Sequence, residues 1–593
     1  MDVPQYPRLA IAAVPVRCRA SCAPCGPGCQ SPVVPLGLRI DKLRFSGSEQ
    51  PVSVGDSAIV VFIGPNNAGK SRALEEIARY MHSEEGGQVV QTAEIQKDGD
   101  QDDLKAWLTT ATAPSPHPTI NDNRIGQGGQ IMMSTARLRW SQTVGIGELV
   151  DFLVFRADAE TRLQLAQEVP SVDALHGQAT QPLQRLLRDH SAERQLADSV
   201  ERAFGQPICV NRTGGATLHL HLGRPQAEAR LDNPEYLEEM RALPLVSAQG
   251  DGMRSFIGLL LTLAATDYPL VLIDEPEAFL HPPQAREMGR QLAKPSPQQR
   301  FVATHDSDVL LGLLDTTQPV TVVRLRREGE ANVPSVLDSA RLTALWRDPS
   351  FRYSNLLSGL FHRGVVVCEA DGDALLYGAA LDHALLASGQ ASSDLLFTQC
   401  GGKHKFPTAI SALRPMGVPT GAIADIDVLR DESLLSRIVG ALEGSWDALR
   451  NDWYVVKQAV EQLPGAHPLI SDVREQIDGS LGPDPTARLT EDQSRRVREI
   501  TSRTDGWRIM RERGGLPAIP RGDATQAAER LLAALADLGL FVVPVGALEG
   551  WVPAVGGHGS AFVYAALESQ AHETSSTLQN FVMRVTRHLH VLA

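Results

Sequence analysis

Short apolar runs alternate with helix-like stretches along most of the chain. The alternating segment LGLRIDKLRFSG, which begins at residue 36, predicts a first strand, and SAIVVFIG predicts a second, buried one. Helix, strand, helix and strand are predicted in tight series from 247 to 325, and a second α/β alternation is predicted from 364. The pattern therefore predicts a mixed α/β protein with two main folded units.

Length and local composition predict where these units begin and end. At 593 residues the chain is too long for one ordinary hydrophobic core. Residues 95 to 135 are rich in Asp, Gln and Gly and are predicted to be loops. The predicted segments are an extension at 1–35, a first domain at 36–345 with an inserted part at about 140–235 that could serve dimerisation, and a second domain at 346–593 with a helical insertion at about 432–535.

Charge and hydropathy restrict the partners. The net charge of −14 gives no overall positive field, so contact with DNA would need local Lys and Arg or bound metal ions. The longest apolar run, FIGLLLTLAATDYPLVLID, is interrupted by Asp267 and Pro269 and predicts a helix followed by a strand, not a membrane span. No signal peptide is evident, so we expect a cytoplasmic protein with no membrane partner.

Four of the seven cysteines cluster near the N-terminus, in CRASCAPCGPGC. The spacing of Cys18, Cys22, Cys25 and Cys29 fits no common zinc or iron–sulfur pattern well, although such a metal knot stays open. The Pro and Gly content favours a flexible extension.

A glycine-rich loop between a predicted strand and a predicted helix carries the first chemical motif, in VVFIGPNNAGKSRALEEI. It matches G-x-x-x-x-G-K-[ST], in which backbone N–H groups hold phosphates at the positive end of the following helix. Lys70 is predicted to reach the β- and γ-phosphates of ATP, and Ser71 to hold Mg²⁺. The predicted nucleotide-binding residues of this loop are Gly64, Pro65, Asn66, Asn67, Ala68, Gly69, Lys70 and Ser71.

Two later strands are predicted to complete the nucleotide site. The strand in YPLVLIDEPEAFLHP ends in Asp274, which suits Mg²⁺, and Glu275, which suits positioning the attacking water. The strand in RFVATHD presents His305, which can sense the γ-phosphate. Singly, such residues are usually ordinary surface or core positions, but their order behind a phosphate loop indicates a catalytic site.

This set of motifs resembles the ABC-type ATPases of the branch shared with structural-maintenance-of-chromosomes and RecF-like proteins. The resemblance implies two heads that sandwich two ATP molecules, each head giving a signature loop to its partner, and hence a homodimer or higher homo-oligomer. The candidate loop is VSAQGDGMRSF, with Ser247, Gly250 and Gly252, and it departs from the common L-S-G-G-Q form.

Carboxylates gather at the ends of two further predicted strands. Glu369 ends the apolar run VVVCEADGDALLYG and Asp373 follows four residues later, while PTGAIADIDVLRD predicts a strand ending in Asp425 and Asp427. Since alternate residues of a strand face the same side, Asp425 and Asp427 are expected to point to the place where Glu369 points. Acids this close would raise one another's pKa values, and oxygen-rich clusters favour Mg²⁺ or Mn²⁺.

A Glu strand followed by a D-x-D strand resembles the Toprim domain of topoisomerases, primases and some nucleases. Between the two strands, CGGKHKF offers Gly401, Gly402 and Lys403 to a phosphate, and Glu549 in VVPVGALEGW looks like the late acid of Toprim nucleases. The alternative is a set of ordinary, solvated acids at strand ends. The resemblance implies these catalytic and metal-binding residues: Glu369, Asp373, Asp425, Asp427 and Glu549.

An ATPase head followed by a Toprim domain resembles the OLD (overcoming lysogenization defect) family, which includes the nuclease subunit of Gabija anti-phage systems. The likeness covers roughly 36–593 and implies an ATP-regulated, Mg²⁺- or Mn²⁺-dependent DNA endonuclease for defence against phage or other foreign DNA. Ala370 departs from the family where Gly often follows the Glu, and Ala424 departs where relatives can carry Ser. No Lys follows Lys457, where some relatives use a late Lys, so Arg584 or Arg587 is the candidate positive group.

Two other functions stay open. The head could be an ATP-dependent sensor or scaffold whose Toprim-like domain recruits a partner defence protein and does not cut DNA. A topoisomerase or primase is disfavoured, because neither a DNA-gate domain with a nucleophilic Tyr nor a template-binding module is evident.

Overall fold

A computed structural model of the chain gives a mixed α/β protein. The structure describes residues 36–55, 57–115, 123–126, 129–143, 145–173, 179–230, 232–266, 268–316, 318–337, 342–343, 355–463, 470–481, 488–501, 506–512 and 514–589. The predicted extension at 1–35, with its four cysteines, lies outside the described residues. No described helix is long and apolar enough to cross a membrane.

The strands are numbered in chain order. They are β1 (Gly37–Phe45), β2 (Val52–Ser53), β3 (Ile59–Ile63), β4 (Val90–Asp98), β5 (Ala113–Pro114), β6 (Asn123–Gly126), β7 (Gly129–Met132), β8 (Val154–Ala157), β9 (Val169–Pro170), β10 (Ile208–Asn211), β11 (Thr217–Leu222), β12 (Leu270–Asp274), β13 (Gln299–Ala303), β14 (Val320–Glu328), β15 (Ala331–Leu337), β16 (Gly364–Cys368), β17 (Leu395–Gln399), β18 (Thr420–Ala424) and β19 (Leu540–Val542).

The α-helices up to residue 314 are numbered in the same way. They are α1 (Lys70–Ser83), α2 (Gln101–Ala111), α3 (Met133–Ser141), α4 (Val150–Leu153), α5 (Ala159–Leu165), α6 (Pro182–Arg185), α7 (His190–Phe204), α8 (Pro234–Ala242), α9 (Asp251–Ala265), α10 (Pro282–Leu292) and α11 (Ser307–Leu314). Later helices are named by their bounds, which are Asp371–Ala387, Phe406–Leu413, Glu432–Ala441, Trp446–Glu461, Ile470–Leu481, Glu491–Thr501, Gly506–Glu512, Asp523–Leu538, Gly559–Glu568, Ala571–Thr574 and Ser576–His588.

A six-stranded sheet forms the centre of the first half, in the order β15-β14-β3-β13-β12-β8. All neighbours are parallel except β14 and β15, so the carboxyl ends of β3, β12 and β13 lie at one edge. Every residue of β3, IVVFI, is buried, because helices and a second sheet cover both faces of a parallel sheet. This carboxyl edge is where α/β proteins bind their ligands.

A four-stranded parallel sheet forms the second half, in the order β17-β16-β18-β19. Its two central strands, β16 (GVVVC) and β18 (TGAIA), are fully buried. Val365 pairs in register with Thr420, and Val367 with Ala422, so the residues that follow these two strands emerge side by side.

Two sequence predictions need correction here. The stretch at about 140–235 is not wholly an insertion, because β8 pairs with β12 as an edge strand of the central sheet. Residues 95–135 are not simply loops, because they include the end of β4, helix α2 and the start of α3. The polar residues at the start of α2 had suggested a loop, but they cap the helix. The Asp100 carboxylate accepts from the backbone N–H of Asp102 and Asp103.

Candidate functional site

The phosphate loop joins β3 to α1 at the carboxyl edge of the central sheet. Gly64 has φ of 137°, and a side chain there would meet the Leu325 carbonyl oxygen at 2.3 Å. Gly69 has φ of 87° and immediately precedes α1. The Nδ2 of Asn332, on β15, donates to the Ala68 carbonyl oxygen at 2.7 Å and fixes the far side of the loop. The predicted loop residues thus form one turn at the start of a helix.

Lys70 and Ser71 are the first residues of α1. Lys70 Nζ donates to the carbonyl oxygens of Gly64 and Pro65, at 2.9 and 3.0 Å, and burial lowers its pKa. Ser71 Oγ donates to Asp274 Oδ1 at 2.8 Å, although the two residues are 203 positions apart in the chain. Burial raises the pKa of Asp274. A hydroxyl and a carboxylate oxygen in contact fit Mg²⁺, which prefers such ligands.

The residues after β12 and β13 form the next layer of the site. Glu275 has φ of 45°, a conformation that non-glycine residues rarely adopt, and its carboxylate is half-exposed. His305 Nδ1 lies 3.4 Å from Glu275 Oε1 and 3.2 Å from Glu277 Oε1. The structure therefore places His305 beside Glu275, and the predicted role of His305 as a sensor of the γ-phosphate stays a prediction.

Glu277 is a residue that the sequence argument missed. It is buried, and its Oε1 accepts from Thr304 Oγ1 at 2.8 Å and from the His305 backbone N–H at 2.9 Å. Burial raises the pKa of Glu277. The side chain therefore ties the turn after β12 to the turn after β13. The only sign of Glu277 in the sequence was that it is a second Glu, two positions after Glu275.

Arg162 was also missed in the sequence analysis, and it holds the backbone of the turn after β12. Its guanidinium is fully buried and donates to the carbonyl oxygens of Asp274 at 2.6 Å and Glu275 at 2.9 Å. It also donates to the Ala157 carbonyl oxygen at 2.9 Å and to Ser255 Oγ at 2.9 Å. Arg162 lies within the stretch predicted to be an insertion, so no motif marked it.

The candidate signature loop lies at the start of α9. Ser247 is in a 3-10 helix (Val246–Ala248), Gly250 is exposed with open space beside it, and Gly252 is in the first turn of α9. A side chain at Gly252 would meet the Phe279 carbonyl oxygen at 2.4 Å, which explains the glycine. The loop therefore packs beside the chain that follows Glu275.

A second group of acids lies at the carboxyl edge of the four-stranded sheet. Glu369 follows β16 and Asp425 follows β18, and carboxylate oxygens of Glu369, Asp425 and Asp427 all lie within 4.8 Å of one another. The Asp425 backbone N–H donates to Glu369 Oε1 at 3.2 Å. Three oxygen ligands without His or Cys suit Mg²⁺ or Mn²⁺.

The strand-alternation argument for Asp425 and Asp427 was wrong, although the residues do meet Glu369. Strand β18 ends at Ala424, and Asp427 lies in a 3-10 helix (Ile426–Arg430) that turns it back toward the other acids. Burial, followed by the nearby Asp427, raises the pKa of Glu369 to about 7 despite Lys403. Burial and Glu369 raise the pKa of Asp425 well above its usual value. Binding of a divalent cation would relieve the mutual repulsion of these carboxylates.

Two cationic side chains contact these acids. Lys403 Nζ lies 2.7 Å from Asp427 Oδ1, and the Gly402 backbone N–H donates to the Glu369 carbonyl oxygen at 2.9 Å. Arg511 Nη2 lies 3.2 Å from Asp425 Oδ2, and its Nη1 lies 3.9 Å from Asp427 Oδ2. Lys403 was predicted near this site. Arg511 was missed because it lies in the short helix Gly506–Glu512, inside the predicted helical insertion.

Asp373 and Glu549 lie outside the three-acid group. Asp373 Oδ2 accepts from the Ala370 backbone N–H at 2.9 Å at the start of helix Asp371–Ala387, and burial raises its pKa. Glu549 lies in a 3-10 helix (Leu548–Trp551), and its Oε1 accepts from the Gly559 backbone N–H at 3.1 Å. Arg584 lies over the rings of Phe541 and Phe581 instead of approaching the acids.

The phosphate loop and the Ser71–Asp274 contact define a P-loop nucleotide site. A family model described as "AAA domain, putative AbiEii toxin, Type IV TA system" matches residues 222–312, which include α9, β12 and β13. These findings support an ABC-type P-loop ATPase head. A domain of this type uses a nucleotide and, typically, Mg²⁺.

Heads of SMC proteins are among the solved structures that resemble the chain. An SMC head bound to the C-terminal winged-helix domain of ScpA has 12% identity and a TM-score of 0.32, covering 50% of this chain and 97% of that chain. The SMC head domain from Thermotoga maritima has 13% identity and a TM-score of 0.28, covering 51% and 100%. The Smc head from Pyrococcus furiosus bound to the C-terminal domain of ScpA has 9% identity and a TM-score of 0.30, covering 52% and 99%. A search of curated proteins finds no match.

Proposed function

We propose that this protein is an ATP-hydrolysing, divalent-metal-dependent DNA endonuclease of OLD type, acting in the cytoplasm in defence against phage or other foreign DNA. The observation that carries the proposal is the convergence of Glu369, Asp425 and Asp427 within 4.8 Å, in the same chain as an ABC-type head. Glu369 at the end of one buried strand and Asp425 after the neighbouring one support the Toprim assignment of the second domain.

Glu369, Asp425 and Asp427 would hold the cation. A bound Mg²⁺ or Mn²⁺ supplies Lewis acidity and lowers the pKa of water for attack on a phosphodiester. Lys403 and Arg511 would bind the phosphate oxygens of DNA, since both carry positive charge at the rim of the acid group. Because the net charge of the chain is −14, contact with DNA requires local positive charge, and Lys403 and Arg511 supply it beside the acids.

The head would control this site through nucleotide binding. Lys70 and the loop backbone would bind the ATP phosphates, Ser71 and Asp274 would hold Mg²⁺, and Glu275 would position water. The exposed position of Gly250 at the start of α9 supports a contact with a second head, so we propose a homodimer or higher homo-oligomer as the active form.

A plasmid-cleavage assay with and without ATP, across Mg²⁺ and Mn²⁺, tests the proposal. The wild-type protein is expected to nick or linearise plasmid, and Asp425→Asn is expected to lose this activity by about 10²-fold or more because a metal ligand is removed. Asp371→Asn is the matched control, because Asp371 is an acid at the start of the neighbouring helix and lies outside the three-acid group. Equal cleavage by Asp425→Asn and the wild type would refute the assignment of the three-acid group as the cleavage site.

A second candidate function is an ATP-dependent sensor or scaffold that recruits a partner defence protein. The favouring observation is that Lys403 and Arg511 already pair with Asp427 and Asp425, so a purely structural charge network is an alternative use of the acids. Robust ATP hydrolysis, abolished by Lys70→Ala, together with no cleavage under any divalent metal, would establish this function in place of the nuclease.

A further inference from the structure

A cavity of about 670 Å³ lies at the amino edge of the central sheet, opposite the phosphate loop. Its walls include the residues that enter β12 and β13, Pro269 and Gln298, and the start of β1 at Gly37. The phosphate loop follows the carboxyl end of β3, and β3 and β13 are parallel. The cavity is therefore separate from both the nucleotide site and the three-acid group.

A buried arginine without a carboxylate partner lines this cavity. Arg300 is 4% exposed, and its Nη1 donates to the carbonyl oxygens of Leu292 and Lys294, at the C-terminal end of α10. Its Nε is buried without a hydrogen-bond partner, and no described carboxylate forms an ion pair with the guanidinium. Burial lowers its pKa to about 10. A charged donor left in this state is costly, and such cases call for an unseen partner.

A second cation lines the same wall. Lys294 Nζ donates to Ser199 Oγ at 3.2 Å, and burial lowers its pKa. Among the described residues Lys294 has no ion pair either, because the nearby Glu287 pairs with Arg202 and Arg290. Lys294 and Arg300 thus both line the cavity without an ion pair to a described carboxylate, and Arg39 is a third cation on its wall.

The rest of the wall is partly apolar and includes Trp107, Leu260, Leu263 and Tyr268. Asp98 and Asp103 also line the cavity, but their oxygens have local partners. Asp98 Oδ1 accepts from Gln96 Nε2 at 3.2 Å, and Asp103 Oδ2 accepts from the Asp100 backbone N–H at 2.9 Å. Each acid therefore has a hydrogen-bond partner in its own segment, whereas Arg300 and Lys294 form no ion pair with a described carboxylate.

We propose that this cavity binds a small organic anion with an apolar or aromatic body, held by Arg300 and Lys294. The negative group would contact the Arg300 guanidinium and the Lys294 ammonium, which both line the cavity, and the body would pack against the apolar wall. Ligand pockets of this size combine an apolar lining with a few convergent polar groups in this way.

Calorimetric titration of the full-length protein with naphthalene-1-sulfonate tests the proposal, with naphthalene-1-sulfonamide as the uncharged probe of nearly equal shape. The sulfonate is expected to bind saturably and at least about 10-fold more tightly than the sulfonamide. Hydrogen bonds between charged groups are stronger than those between neutral ones. Arg300→Met and Lys294→Met are each expected to reduce this ratio. Arg326→Met is the matched control, because Arg326 is an Arg of the same sheet that does not line the cavity.

Two variants are used because Arg300→Met removes two buried hydrogen bonds and can affect folding. Lys294 is exposed and makes one side-chain bond, so Lys294→Met keeps the test interpretable, and a melting curve accompanies each variant. Equal affinity for the two probes, absence of saturable binding by the sulfonate, or an unchanged affinity ratio in the folded Lys294→Met variant would overturn the proposal.

Discussion

Arg324 Nη2 donates to the His362 carbonyl oxygen at 2.8 Å and thereby joins the six-stranded central sheet to the segment that leads into the four-stranded sheet. The same guanidinium donates to the carbonyl oxygens of Leu360 at 3.0 Å and Gly417 at 2.6 Å, and the side chain is 1% exposed. Arg324 lies on β14 and pairs in register with Ile63, the residue before the phosphate loop. One buried side chain therefore connects the neighbour of the nucleotide site with the segments that lead into β16 and β18.

Arg324→Met is expected to lower the free energy of unfolding by about 3 kcal/mol, because three buried or partly buried carbonyl oxygens lose their donor. Denaturant unfolding followed by circular dichroism measures the change. Arg326→Met, on the same strand, removes only a partly exposed ion pair with Glu328 and is expected to cost less than about 0.5 kcal/mol. Similar losses for the two variants would contradict the importance of the buried contact.

Arg162→Met is expected to lower kcat for ATP hydrolysis by about 10-fold or more while changing ATP affinity far less. Arg162 holds the carbonyl oxygens of Asp274 and Glu275 and touches neither Lys70 nor the loop glycines in its hydrogen bonds. Its loss should relax the Glu275 backbone, whose φ of 45° is maintained by its surroundings. Steady-state hydrolysis and nucleotide titration separate the two effects. A large loss of affinity with unchanged kcat would refute this assignment.

Arg511→Ala is expected to have opposite effects on two ligands. Without the guanidinium beside Asp425 and Asp427, Mn²⁺ should bind about 3- to 10-fold more tightly, and short duplex DNA should bind more weakly. Mn²⁺ titration and fluorescence anisotropy with labelled DNA measure the two affinities. Arg508→Ala is the control, because Arg508 is on the same helix and pairs with Glu512. Changes of both affinities in one direction would contradict the proposed role.

Cation affinity at the three-acid group is expected to rise with pH between about pH 5.5 and 8. Glu369 has a pKa raised from 4.5 to about 7, so below that pH a proton competes with the cation for its carboxylate. Asp425, whose pKa is also raised, takes up a second competing proton, so the affinity for Mg²⁺ should fall by about 10-fold or more per pH unit below pH 7. Calorimetry from pH 5.5 to 8 tests this, with Asp371→Asn expected to keep the profile. A flat profile would show that Glu369 is not a ligand.

The nucleotide site was the most predictable part of the molecule. Its residues follow a fixed order along a strand, a loop and a helix, so local spacing alone placed Lys70 and Ser71, and motif order placed Asp274. The meeting of Glu369 with Asp425 was also predictable, because residues after neighbouring parallel strands emerge at one edge.

The supporting residues were not predictable, because their roles depend on long-range contacts without a motif. Arg162 is 112 positions from Asp274, and Arg324 is 93 positions from Gly417. Nothing in their neighbouring sequence distinguishes them from ordinary surface arginines until tertiary packing buries them. Arg511 was hidden for the same reason, since a charged helix in a presumed insertion gives no sign of which side chain returns to the sheet.

Strands β16 and β18 each have five residues, which corresponds to about 17 Å at 3.3 Å per residue. Arg324 donates hydrogen bonds to the chain just before each of these strands, and Glu369 and Asp425 follow the strands directly. Both acids are thus connected to the same arginine, each through one short buried strand. A displacement of Arg324 along the strand direction would shift Glu369 and Asp425 together, without a hinge between the two halves.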